Sequence, residues 1–250
     1  MNSKKKKIIA IVAVSLVVVL AAIFLALGLT IWRVKTDIDW VKAFSDSMII
    51  NQSQDNKKFE KTITIEQEDV KVSSFFQMVE IYNQYGRAIG HIVVDERYFN
   101  LDTTEFDTYD EYLFYDNRMY MYRKNGEDAT HTDFTSTWEI FWEVFNENWG
   151  KNKYYFDNDI FEDMRIEHSE DAHILTATVS NDNCKAFFDG NDDAKDISEI
   201  GLVMSIDNDF KLINFKLKYR YKQTQDVTIE IVSKAPTEIE IRDFSDLIYD

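Results

Sequence analysis

The sequence predicts an α+β protein in which an N-terminal transmembrane helix precedes an antiparallel sheet with helices packed against it. Three observations predict it. Residues 8–32 form an apolar run without a charge, residues 59–232 hold short runs of alternating apolar and polar character, and residues 137–149 carry aromatics at helical spacing.

The chain begins with Lys4, Lys5, Lys6 and Lys7 and then runs twenty-five residues, Ile8 to Trp32, with only Ser15, Gly28 and Thr30 breaking its apolar character. A helix needs roughly 20 residues to cross the hydrocarbon layer, so this run is expected to span. The lysine cluster places residues 1–7 in the cytoplasm by the positive-inside bias, with Trp32 as the outer aromatic anchor. The expected location is the cell membrane, single-pass, with an extracytoplasmic C-terminal domain and residues 8–32 as the contact with the membrane. Ala26 and Gly28 leave cleavage as a signal peptide open as the alternative.

The formal charge is −17, and six of the 28 basic residues but none of the acids precede residue 37. The remainder therefore carries 22 basic against 45 acidic residues, a net −23. That surface repels phosphate backbones, which excludes nucleic acid as a partner. Cys184 is the single cysteine, so no intramolecular disulfide can form. Aromatics make 14% of the chain, ample for a core built without one. The abundance of Lys, Asn, Ile and Asp with one proline points to a bacterial host.

Val34, Ile38, Val41, Phe44 and Met48 recur at helical spacing, so residues 33–58 are expected to hold a juxtamembrane helix, about Thr36 to Ile50, and a polar loop. Residues 59–250 then form the domain. Phe59, Ile63 and Ile65 share one face of a first strand, and Ser74 to Tyr82, Ala88 to Asp95 and Arg97 to Leu101 follow as a meander. Between Tyr112 and Tyr122, Asp116 and Asn117 supply a hairpin turn able to take positive φ.

A helix is expected from Thr137 to Trp149, with Ser136 as N-cap, Glu139 as its capping-box partner and Gly150 beyond its end. Trp138, Phe141, Trp142, Phe145 and Trp149 fall on one stripe of it. That stripe fits a core helix laid on the sheet, or one wall of an apolar cavity. Beyond it come Met164 to His168, Ile174 to Val179, an acidic insert from Asn181 to Glu199, then Gly201 to Ile206, Lys211 to Tyr221 and Val227 to Val232.

The motifs for chemistry are absent. Asp189, Asn191 and Asp193 begin a calcium-loop pattern that fails at Ala194 and Ile200, so a solvated loop is expected there and no metal. His168 and His173 can face each other across a turn, but no HExxH or cysteine pair supports a metal ligand set. No serine sits in a Gly-flanked nucleophile turn, and Cys184 follows acids that raise its pKa. The expectation is a protein without cofactor and without catalysis.

The order of parts, with FEKTITIEQ opening the meander, the aromatic hairpin YLFYDNRMYMY, a helix, and VTIEIVSKAPTEIEI closing the long strands, resembles the LolA/LppX-like bacterial extracytoplasmic superfamily across residues 37–241. The resemblance implies that the sheet is curved into a half-barrel around helices. It further implies an apolar cavity lined by Trp138, Phe141, Trp142, Phe145 and Trp149 and by Phe114 and Tyr120 of the hairpin. The function it implies is a membrane-anchored binding module for a hydrophobic ligand, a lipid or a lipidated partner, with no chemistry of its own. The alternative is a structural or regulatory ectodomain docking on another membrane protein.

Overall fold

Eleven strands hydrogen-bond side by side into one antiparallel sheet, in a computed structural model that describes residues 38–49, 55–84, 86–99, 106–149, 154–189 and 192–240. In chain order these are α1 (Trp40–Ser47), β1 (Lys57–Gln67), β2 (Val70–Gln84), β3 (Arg87–Tyr98), β4 (Phe106–Tyr115), β5 (Arg118–Asn125), β6 (Asp128–Thr135), α2 (Trp138–Trp149), β7 (Phe161–His168), β8 (Ala172–Val179), α3 (Cys184–Phe187), β9 (Ile197–Asp207), β10 (Leu212–Tyr221) and β11 (Gln225–Lys234). The spatial order β6-β5-β4-β3-β2-β1-β11-β10-β9-β8-β7 is two meanders joined where β1 pairs with β11. Contacts divide the chain into two compact units, residues 1–43 and 44–250, and the sheet belongs to the second.

Two expectations are corrected. The class is mainly antiparallel β rather than α+β, because strands extend through polar residues that carry no alternation: β2 alone runs 15 residues, and β6, with only Ala129 and Phe134 apolar, pairs along β5. Among the described residues no helix is long and apolar enough to cross a membrane. The helices have 8, 12 and 4 residues, against roughly 20 for a span. That corrects the transmembrane helix in the expected fold class and the single-pass membrane location drawn from it. Residues 1–7 and 8–32, on which those expectations fell, lie outside the described residues.

Tight turns make the meander possible. Asp116 and Asn117 take φ of 50° and 57° between β4 and β5, and Glu68 and Asp69 take 51° and 63° between β1 and β2. Positive φ at both central residues matches the right-handed twist of the flanking strands.

Strand alternation then sorts the side chains onto two faces. On the helix-bearing face, register carries one row across seven strands: Leu175, Met204, Phe215, Ile231, Lys61, Gln77 and Val94. α2 covers one half of this face. Its Phe141, Trp142 and Phe145 are buried against Val79, Ile81, Ile92, Val94, Tyr112, Phe114 and Met119. Burial of each such side chain stabilises the fold by roughly 1.5–3 kcal/mol.

The N-terminus of α2 differs from expectation by one residue. Ile140 N–H donates to Thr137 Oγ1 at 3.4 Å, whereas Ser136 Oγ is buried without a partner among the described residues, so Thr137 is the cap.

The acidic insert reaches part of the other half through α3, while Asp189, where the failed calcium-loop pattern begins, is exposed. Cys184 and Phe187 of α3 point inward, and Ala194 beyond it is buried. Phe187 meets Tyr154 at 5.5 Å between ring centroids, and Tyr154 in turn lies on Phe215 at 5.2 Å. Apolar residues at helical spacing inside an acidic stretch outweigh its charge.

The opposite face carries a second cluster of Ile89, Leu113, Tyr122 and Ile239, flanked by Tyr82, Tyr109, Tyr115 and Tyr120. Ile239 arrives on the irregular segment after β11, residues 235–240.

Candidate functional site

A cavity of about 440 Å³ opens where β1 starts, β11 ends and β10 begins. Its apolar lining is Ile49, Phe59, Phe210 and Leu212, and its rim carries Asp46, Asp55, Lys57, Lys211 and Lys234. The volume falls within the roughly 300–1,000 Å³ of small-molecule sites. Phe210 holds its place with φ of 60°, at the end of a turn in which Asp207 Oδ1 accepts from the N–H groups of Asp209 and Lys211, each at 2.9 Å.

The next row along the strands is the unusual one. Phe59 lies opposite Ser233, both at the cavity; two residues further on the same face, Lys61 lies between Ile231 of β11 and Gln77 of β2. Lys61 is 3% exposed and Gln77 not at all. Burial pulls the Lys61 ammonium down to about 8. Neither Gln77 Oε1 nor Gln77 Nε2 has a hydrogen-bond partner among the described residues. Leaving a buried polar group unpaired costs roughly 1–3 kcal/mol.

Trp142 joins this layer to α2. Its Nε1–H is likewise buried and without a partner among the described residues. Lys57, which lines the cavity, places its Nζ 5.8 Å from the Trp142 ring. Burial lowers the Lys57 pKa, against the raising effect of Asp55.

Of the residues expected to line a cavity, Trp138, Phe141, Trp142, Phe145 and Phe114 are brought together, but as packed core. Trp138 stacks on Phe141 at 5.0 Å, Phe114 meets Trp138 edge-on at 5.5 Å, and Trp142 meets Phe145 at 5.0 Å. Tyr120 is not among them. It pairs with Leu113 and lies on the opposite face, because the two-residue turn sets Phe114 against Met119. The side chain of Trp149 lies outside the described residues, as does Gly150.

Sequence reasoning passed over Lys61, Gln77 and Lys57. For Lys61 a signal existed: in FEKTITI it occupies the same parity as Phe59, Ile63 and Ile65, a charge on an apolar face. For Gln77 none did, since its place beside Lys61 depends on the register of β1 on β2.

A second, smaller cavity of about 260 Å³ lies on the opposite face beside Glu80, His91, Glu111, Thr237 and Ile239. Its two buried carboxylates, Glu80 and Glu111, both have partners. Glu80 accepts from the Thr237 N–H and hydroxyl and from Lys58 Nζ, and Glu111 lies 2.8 Å from His91 Nε2 and accepts from the Tyr109 hydroxyl at 3.1 Å.

His168 and His173 do face each other across their turn, Nδ1 to Nδ1 at 3.0 Å, an arrangement in which one ring donates and the other accepts. Among the described residues no group of three His, Cys, Asp or Glu side chains is placed to hold a metal. The Cys184 thiol is pushed up, chiefly by burial and with a smaller push from Asp182, against a lowering backbone hydrogen bond, which suits packing and opposes nucleophilic reactivity.

No family model matches the sequence, and no curated protein matches it significantly. Among solved structures the chain is similar to a β-barrel-like protein of a domain of unknown function from Brucella abortus, at 8% identity over 72% of this chain and 96% of that one, with a TM-score of 0.25. It is also similar to a LolA superfamily protein from Nitrosomonas europaea, at 9% identity over 84% of this chain and 96% of that one, with a TM-score of 0.22.

Proposed function

We propose that the unit of residues 44–250 acts as a binding module for a hydrophobic ligand and performs no chemistry of its own. The observation that supports this reading is the cavity of about 440 Å³ at the β1, β10 and β11 ends, with Ile49, Phe59, Phe210 and Leu212 on its apolar side. Affinity in such a site comes from the apolar area withdrawn from water, roughly 25 cal/mol per Å². The core stripe of α2 packs behind it, with Trp142 5.8 Å from the Nζ of Lys57, which lines the cavity.

The test is a titration of the full chain with hexadecanol, followed by tryptophan fluorescence. Saturable uptake is expected, with loss of it in a Leu212→Asp variant whose circular dichroism is unchanged. Absence of uptake by the unaltered chain overturns the reading.

A second reading, docking on another protein, is favoured by the exposed edge β6, where Phe134 is 38% exposed beside polar neighbours. An added partner strand there would bury Phe134, and a Phe134→Lys variant would then release a co-purifying protein while leaving hexadecanol uptake intact.

A further inference from the structure

The ring of Phe210 serves two neighbourhoods at once. It lines the 440 Å³ cavity, and it stacks on His173 with 6.4 Å between ring centroids and 27° between planes. His173 is 5% exposed, its partner His168 lies at the surface, and their Nδ1 atoms are 3.0 Å apart. Register carries the pair to the cavity by a second route, since His168, His173, Ile206 and Leu212 follow one another across β7, β8, β9 and β10, and Leu212 lines the cavity. The turn that carries Phe210 is also tied to the turn between β7 and β8, where Asn208 Nδ2 donates to Glu170 O at 2.7 Å.

An Nδ1-to-Nδ1 hydrogen bond needs one donor and one acceptor. It persists with both rings neutral and with one ring charged. When both rings are charged each Nδ1 holds a proton, the acceptor is lost, and two like charges face each other. The pair takes its protons in two steps, and only the second breaks the contact. Imidazole is the side chain that ordinarily changes charge between about pH 5 and 8. Charged groups on the surrounding segments are Arg165 and Glu167 of β7, Glu170 and Asp171 of its turn, and Asp207, Asp209 and Lys211 of the turn that carries Phe210. Across the cavity the rim adds Asp46, Asp55, Lys57 and Lys234. Carboxylates ordinarily titrate near about 4, below that span.

We propose that His168 and His173 form a proton switch that regulates the cavity through Phe210. With at most one ring charged, the contact holds His173 against Phe210 and keeps the apolar side of the cavity in place. With both charged the rings part, Phe210 loses its backing, and the cavity loosens its hold on a ligand. This inference rests on the proposed function and adds its regulation.

The experiment titrates the full chain with hexadecanol, which has no group that ionises in this range, at pH 7 and at pH 5. Both lie below about 8, where Lys61 titrates. Affinity is expected to fall roughly two- to tenfold at pH 5, the scale of one lost hydrogen bond, with circular dichroism unchanged. His168→Asn keeps a hydrogen-bonding amide near the Nδ1 position and takes no proton, so it is expected to retain the affinity at pH 7 and to lose the fall. His91 and His131 stay in place in this variant, so a fall that persists in it belongs elsewhere and overturns the switch. Equal affinity at the two pH values in the unaltered chain also overturns the switch and leaves the hydrophobic-ligand reading standing. Absence of uptake at both pH values overturns both. The comparison on the unaltered chain needs no variant to fold.

Discussion

The Phe141 ring lies on the backbone of β3 at Gly90, so close that a β-carbon at Gly90 would fall 2.5 Å from its Cζ. Gly90 pairs with Phe114 on one side and Ile81 on the other, so the ring is seated in a notch that glycine alone provides. Phe141 is fully buried and has no room to retreat. Gly90→Ala is therefore expected to destabilise the fold by about 1–3 kcal/mol through overpacking. Gly201→Ala, where a β-carbon meets nothing within 4 Å, is the control and is expected to cost nothing measurable. Urea denaturation of the two variants checks both.

Buried Lys61 makes the stability of the fold depend on pH. Its pKa falls from 10.5 in the unfolded chain to about 8 in the fold, so between these values the unfolded state binds more protons. Stability without ligand is expected to rise with pH from about 8 to about 10.5, by about 3 kcal/mol at most. The full cost is present below pH 8. Lys61→Met is expected to be more stable than the unaltered chain at neutral pH and to lose the alkaline rise. Denaturation midpoints across this range decide it.

Glu80 anchors the last described segment in the opposite sense. Burial alone would raise its pKa, but the bonds from Thr237 and Lys58 outweigh that and leave it lowered. Its contribution is therefore present above the ordinary carboxylate value of 4.5 and is lost as pH falls through the lowered value in the fold. Glu80→Gln is expected to cost roughly 1.5–3 kcal/mol, the scale of hydrogen bonds to a charged group. Hydrogen exchange at the Thr237 amide checks it: protection falls at neutral pH in the variant, and only in acid in the unaltered chain.

Local signals in the sequence reached as far as local structure. The Asp116-Asn117 turn and the α2 stripe were legible because each depends on residues near in sequence: a turn needs positive φ, and an aromatic period of 3.6 leaves one buried face. Tyr120 could have been placed by counting outward from that same turn, which sets it opposite Leu113 and away from Phe114. In the acidic insert the charges outnumber Cys184 and Phe187, so the burial of α3 gave no local signal. Strand β6 showed no alternation, since its burial is low along its whole length. The pairing of β1 with β11 is out of reach of any local signal. It joins Lys61 to Ile231 across most of the chain, and with the β1–β2 register it creates the row in which Lys61 and Gln77 meet.

The most direct test of the central claim, that this sheet domain holds a hydrophobic ligand, is native mass spectrometry of the full chain purified from cells and again after mixing with palmitate. A bound mass that matches palmitate, present at one equivalent and absent in Leu212→Asp with the fold retained, is the predicted result. A chain that appears only at its own mass in both preparations contradicts the account.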